Sequence, residues 1–193
     1  MKRILYLTRH GETDWNKEGR WQGHTDISLN ETGRQQAVFL ATRLAELGIK
    51  YVAASDLARA RETAEIVARE LGIAAVHVDH RFRERSFGVF EGLTREEVAA
   101  QYPSQWSDYQ ENRRVTPPGA EPHEMVINRV REGLSHVLAS ASATSPALIV
   151  THGGSLRVLL QELSGIAIPP IPNTALYEVR LADLAFESMH VLG

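Results

Sequence analysis

The sequence contains no cysteine. That absence excludes a disulfide framework, a Cys-rich zinc site and any thiolate nucleophile. Long hydrophobic runs are missing too. Although 43% of the residues are hydrophobic, no stretch approaches the ~18 apolar residues of a membrane span. The opening Met1-Lys2-Arg3 and the apolar residues after it have the outline of a secretory leader. The apolar part stops at Arg9, short of the ~7–15 residues such a leader needs. The expectation is a soluble, cytoplasmic protein without a membrane partner. Nor is there an excess of positive charge: a net charge of −3 argues against nucleic acid as the main partner. The chain also lacks a His-Glu-x-x-His pair, an Asp-x-Asp motif and a Gly-Lys-Ser/Thr loop. No metal and no cofactor are therefore expected.

What is present is an alternation of strand and helix signals. Residues 4–8 read as a buried strand, followed by a polar, glycine-rich loop to about Leu29. Ala37, Leu40, Ala41, Leu44 and Leu47 mark one helical face, with Asn30 as N-cap and Gly48 just past the end. A strand over 51–54 leads into a helix with Ala64, Val67, Ala68 and Leu71 inward, closed by Gly72. A short strand covers 75–78, and 93–114 reads as two polar helices broken near Pro103. After Thr116-Pro117-Pro118-Gly119, a long helix over 123–140 buries Val126, Val130, Leu134, Val137 and Leu138. A near-continuously apolar strand over 147–151 and a helix over 155–163, ended by Gly165, come next. Strands over 175–181 and 186–191, joined by a tight turn near Ala182-Asp183, close the chain. The expected fold is α/β, one domain over 1–193 with a mostly parallel central sheet and helices on both faces.

In such sheets ligands bind beyond the carboxyl ends of the strands. Arg9 and His10 end the first strand, Ser55 and Arg59 follow the second, and Glu84 follows the third. His152-Gly153-Gly154 follows the 147–151 strand and opens a helix. Two histidines, two arginines and a carboxylate thus converge on one edge. Phosphoryl transfer needs positive charge around the equatorial oxygens and proton handling on the leaving oxygen. Arg9 and Arg59 offer forked donors, and His152 adds another. Gly153-Gly154 would let backbone and the positive helix end approach the anion. His10 would hold the phosphoryl group as an N–P bond until water releases it. Glu84 would protonate the leaving group and then deprotonate the water, a role that requires it to hold a proton near neutral pH.

Arg9-His10-Gly11-Glu12-Thr13 with Trp15-Asn16 resembles the signature of the histidine phosphatase superfamily, in its phosphoglycerate mutase-like branch. Gln22-Gly23 with Asp26 and Leu29, Gly33 with Gln36-Ala37, Arg59-Ala60 with Thr63-Ala64, Phe87-Gly88 with Glu91-Gly92, and Thr151-His152-Gly153-Gly154 extend the likeness along nearly the whole chain. The resemblance implies His10 as nucleophile, Arg9, Arg59 and His152 as the phosphate pocket, and Glu84 as proton donor. Asn16 becomes a further phosphate contact, and Gln22, Gly23 and Gly153 complete the substrate-binding set. It implies an acid loop and a small helical cap over about 84–122, and a homodimer as a compatible assembly. Two departures stand out. Phe90 sits where a tryptophan is common, and Gly119-Ala120-Glu121-Pro122 loosens a Gly-Gly-Glu-Ser stretch, so Glu121 receives no catalytic role.

Blander readings compete at several positions. Glu84 lies between Arg83 and Arg85 and could be half of a surface ion pair. Arg61 and Arg69 read as exposed helix charges beside Arg59. His24 is either a substrate contact or an ordinary surface residue, and Tyr102, Trp106 and Tyr109 either touch an organic moiety or merely pack the cap. The short stretch between Glu84 and His152, and a chain that stops at Gly193, favour a phosphatase for small phosphorylated metabolites over a mutase. A non-catalytic phospho-ligand binder on the same fold would need the arginines, but neither His10 nor Glu84.

Overall fold

The apolar run that opens the chain is buried on both sides. In the computed structural model, which describes residues 2–183 and 185–192, strand β1 (Lys2–Arg9) sends Leu5 and Leu7 into one hydrophobic cluster and Tyr6 into another. Strands β2 (Tyr51–Ala54) and β4 (Ala147–Thr151) alternate in the same way. Ala53, Ala147 and Ile149 join the first cluster, and Val52, Ala54, Leu148 and Val150 the second. Neighbouring side chains of a strand point to opposite faces, so a strand covered on both faces must be apolar throughout.

With β3 at Val76–Val78, β5 at Leu176–Ala182 and β6 at Ala185–Leu192, the sheet order is β3-β2-β4-β1-β5-β6. The first four strands in that order pair in parallel, and β5 and β6 add an antiparallel edge. Helices α2 (Glu31–Leu44) and α3 (Ala58–Glu70) cover the Tyr6 face, while α6 (His123–Ser140) and α7 (Gly153–Ser164) cover the other. Asn30 caps α2 as expected, its side chain accepting from Gly33 N at 2.9 Å. That helix ends at Leu44, and Leu47 packs against the core from the turn beyond it.

The loop after β1 holds a short helix that periodicity did not reveal, α1 (Asp14–Lys17). One turn is too short to show a period. Its signal was a capping pattern: Thr13 Oγ1 accepts from Asn16 N, and Asn16 Oδ1 accepts from Thr13 N, both at 3.2 Å. In the 84–122 stretch, α4 (Arg95–Gln101) and α5 (Pro103–Glu111) break at Pro103 as the sequence implies. They close over Phe87, Phe90, Val98 and Tyr109, with Trp21 inserted from the first loop. Phe90 is fully buried among Trp21, Tyr102, Trp106 and Tyr109, so the cap aromatics pack one another. No helix among the described residues is long and apolar enough to cross a membrane.

Candidate active site

β1 and β4 pair in parallel with Arg9 opposite Thr151. The next residue on each chain is a histidine, and the His10 and His152 rings stand 5.1 Å apart. On the other side of β4, Ala54 lies opposite Val150, which delivers Ser55 and the first turn of α3 to the same edge. Arg59, from that turn, is fully buried. Its Nε donates to His152 Nδ1 at 3.2 Å, and its other nitrogens donate to the carbonyls of Thr25 at 2.9 Å and Gly23 at 2.8 Å.

These contacts fix both imidazole tautomers. His10 Nδ1 lies 2.6 Å from the Gly11 carbonyl, which can only accept, so Nδ1 carries the proton and Nε2 keeps its lone pair. His152 is the opposite case. Its Nδ1 accepts from a guanidinium, so Nε2 is the N–H, and that buried atom has no partner among the described residues. Arg9 donates to the Ile171 carbonyl at 2.8 Å, while its buried Nε also lacks a partner. Buried donors without acceptors are rare in folded proteins and call for a ligand or another explanation.

Burial, then the charges of Arg9 and Arg59, hold His10 well below its ordinary pKa. Burial, then chiefly Arg59, does the same to His152. Burial lowers Arg59 to about 10. Both histidines are thus neutral in the folded chain at pH values where the unfolded chain binds protons. Their contribution to stability is fully present above the unfolded value near ~6.5 and is lost as pH falls toward the depressed folded values. The slope is at most ~1.4 kcal/mol per pH unit for each histidine. Urea melts of the wild type are expected to weaken between about pH 7 and about pH 5. A His10→Gln/His152→Gln double variant should weaken less steeply over that range, and an equal decline would contradict the neutral pair.

Glu84 sits on the N-terminus of α7. Its Oε2 accepts from Gly154 N at 2.8 Å, and its Oε1 accepts from Ser155 N at 3.0 Å and Arg85 N at 2.8 Å. This differs from the sequence expectation, which reserved that helix end for the substrate anion. A Cβ at position 154 would lie 2.4 Å from Glu84 Oε1, and one at 153 would lie 3.3 Å from Arg9 Nε. The paired glycines therefore make room for a protein carboxylate and an arginine. The surface ion-pair reading of Glu84 fails for a simple reason: both neighbours are engaged elsewhere. Arg83 pairs with Asp56, and Arg85 donates to the carbonyls of Glu121, Arg113 and Val115.

Arg9, His10, Asn16, Gln22, Gly23, Arg59, Glu84 and Gly153 all line one cavity of about 580 Å³, with Gly154, Trp15 and Ile171. His152 lies against it, fully buried. Asn16 Oδ1 is held by Thr13 and by Asn173 Nδ2 at 3.2 Å, which leaves its Nδ2 as the group it can offer a ligand. Gln22 is buried with Oε1 unpartnered. The Gly23 carbonyl is engaged by Arg59, and its φ of +52° with the Glu91 carboxylate against the Cα suits glycine alone. Arg61 and Arg69 pair with Glu65 and Glu70 on the helix surface. His24 Nε2 donates to the Glu84 carbonyl at 2.9 Å, so the fold uses it to tie the two loops together.

Sequence reasoning missed four residues here. Asn173 Nδ2 donates to the His10 carbonyl at 2.9 Å. Glu91 accepts from Thr25, Ser86, Phe87 N and His24 N, and although burial opposes it, these bonds hold its pKa below the ordinary carboxylate range. Arg129 clamps the carbonyls of Arg81, Arg83 and Glu84 and pairs with Glu121 at 2.7 Å, which gives Glu121 a structural task. Arg157 lines the cavity from α7. Arg129, Arg157 and Asn173 belong to no motif of the sequence, and Glu91 enters it only as part of the resemblance. Among the described residues, no group of three or more His, Cys, Asp or Glu is arranged to hold a metal ion.

Comparison with known proteins bears on what this constellation is. A model of the histidine phosphatase superfamily (branch 1) matches residues 5–190. The chain is 42% identical over 166 residues to "Probable phosphoglycerate mutase GpmB" of Erwinia tasmaniensis, spanning 84% of this chain and 75% of that protein. It is 36% identical over 180 residues to "Uncharacterized phosphatase PhoE" of Bacillus subtilis, spanning 93% and 86%. Among solved structures, a mycobacterial glucosyl-3-phosphoglycerate phosphatase in complex with VO3 superposes with a TM-score of 0.86 at 29% identity, over 98% of this chain and 97% of that one.

Proposed function

The chain belongs to the histidine phosphatase superfamily, and from that premise we propose that it hydrolyses phosphate monoesters of small metabolites through a phosphohistidine at His10. The observation that carries the reading is the tautomer pair. Nδ1 of His10 is committed to a carbonyl, so Nε2 presents a lone pair, while His152 Nε2 and Arg9 Nε are buried donors without protein acceptors. A phosphoryl group placed there meets one nucleophile and several oxygen-seeking donors.

Nε2 attacks phosphorus, the N–P bond forms as the P–O bond breaks, and Glu84 delivers a proton to the departing oxygen. Water then attacks phosphorus, Glu84 takes its proton, and inorganic phosphate leaves with His10 restored. Arg9, Arg59 and His152 offset the charge on the equatorial oxygens throughout, donors that need no reorganisation because their partners already hold them. Asn16, Gln22, Gly23 and Gly153 complete the walls, and the 84–122 cap bounds the leaving-group side. In this scheme arginines do what a metal ion would otherwise do, so turnover is expected to survive EDTA. Inhibition that is reversed by added divalent cation would contradict this.

Phosphoryl transfer between metabolites is a second reading, favoured by the 42% identity to the GpmB protein. Both reactions use one pocket, and they differ in how well the cap keeps water from the phosphoenzyme. A phosphate-release screen over a metabolite panel, with and without bisphosphoglycerate, separates them. A phosphatase releases inorganic phosphate from its substrates without the bisphosphate. A mutase isomerises phosphoglycerate, depends on the bisphosphate and releases little phosphate.

A further inference from the structure

The phosphoryl cavity continues into a second one of about 510 Å³, and the two share Phe87, Tyr109, Arg113, Gly154 and Arg157 as a common wall. The second cavity has room for a leaving group of sugar or amino-acid size. Four arginines line it against a single carboxylate, Glu162, which Arg131 already engages. The arginines are not equivalent. Arg85 is committed to backbone carbonyls, Arg113 lies over the Tyr109 ring at 4.8 Å, and Arg114 is exposed. Arg157 differs from all three. Among the described residues its guanidinium makes no ion pair and no side-chain hydrogen bond, and its Nε is buried without a partner.

We infer that Arg157 reads a second anionic group on the leaving-group side of the substrate, a carboxylate or a further phosphate, held in this annex while the scissile phosphate sits at His10. The inference rests on the phosphatase reading above and adds the substrate class. A permanently charged, forked donor without a protein acceptor matches a planar or tetrahedral oxyanion better than a neutral hydroxyl. The apolar wall from Phe87, Tyr109 and Val158 leaves room for the carbon skeleton between the two anions. By sequence, Lys17, Arg20, Arg85, Arg113 and Arg114 are all candidates to meet a second anionic group, with a solvated face as the plainer reading of most of them. The fold points instead to a residue of α7, one helical turn from the glycines that seat Glu84 and Arg9.

Matched substrate pairs test this. D-3-phosphoglycerate against glycerol 3-phosphate isolates a carboxylate, and fructose 1,6-bisphosphate against fructose 6-phosphate isolates a second phosphate. The wild type is expected to prefer the doubly anionic member of at least one pair by about tenfold or more in kcat/KM, the scale of one charge-assisted contact. The pair that shows the preference identifies the group. Arg157→Gln should erase that preference mainly through KM, and Arg157→Lys should restore part of it. A wild type that hydrolyses p-nitrophenyl phosphate yet shows no preference in either pair overturns the inference, as does a glutamine variant that keeps the preference. Both outcomes leave the phosphatase reading standing, whereas no turnover of p-nitrophenyl phosphate by the wild type removes the reading beneath it.

Discussion

Replacing His10 with alanine is expected to abolish turnover of p-nitrophenyl phosphate, a loss of about 10⁴-fold or more, as for other enzymes stripped of their nucleophile. The fold should survive. Among the described residues the His10 side chain makes one hydrogen bond, to the adjacent Gly11 carbonyl, while its backbone N–H remains tied to the Thr151 carbonyl and β1 keeps both neighbours. A circular dichroism melt of the variant checks that expectation. Rapid quenching of the wild type with labelled substrate should trap an acid-labile, alkali-stable adduct that the alanine variant lacks. Turnover in His10→Ala close to wild type would end the phosphohistidine assignment. A folded but inert wild type that binds inorganic phosphate would favour the non-catalytic binder.

Glu84→Gln should produce the second-largest effect, and its signature is selectivity. A general acid matters when the leaving oxygen is a strong base. Alkyl phosphates should therefore slow by about 10²- to 10⁴-fold, while p-nitrophenyl phosphate, whose leaving group departs unaided, slows far less. A structural cost accompanies this. The carboxylate accepts three backbone N–H groups, from Arg85, Gly154 and Ser155, and a glutamine amide must turn its NH₂ toward at least one of them. Such a donor facing a donor costs about 1–3 kcal/mol. For that reason the dependence of rate on leaving-group basicity is the decisive readout, with a melt to account for lost stability. Equal slowing of both substrate classes would refute the donor role.

How much of this was legible beforehand varies with the physical origin of each feature. The strands at 51–54 and 147–151 and the helix at 123–140 appear where the sequence places them. Their apolar residues repeat with the period of the element that buries them. Arg9, His10, Arg59, Glu84 and His152 could be nominated because each follows a strand or opens a helix in a parallel sheet. Asn173 and Arg129 could not, since a clamp on backbone carbonyls leaves no periodic or motif signal. The role of the Gly153-Gly154 pair was misjudged for a related reason. Glycine declares that something approaches closely, but not whether the visitor is a substrate oxygen or the carboxylate of Glu84.

By itself the chain dictated which residue types are available and on which elements they ride. The lack of cysteine excluded a thiolate nucleophile, and hydrophobic period set strands and helices around a two-sided sheet. Tertiary structure decided what sequence spacing cannot encode. The parallel register of β1 on β4 makes His10 and His152 neighbours across 141 intervening positions, because adjacent parallel strands place equal steps side by side. The hydrogen bonds formed at that meeting then assign the protons, since a carbonyl can only accept and a guanidinium can only donate.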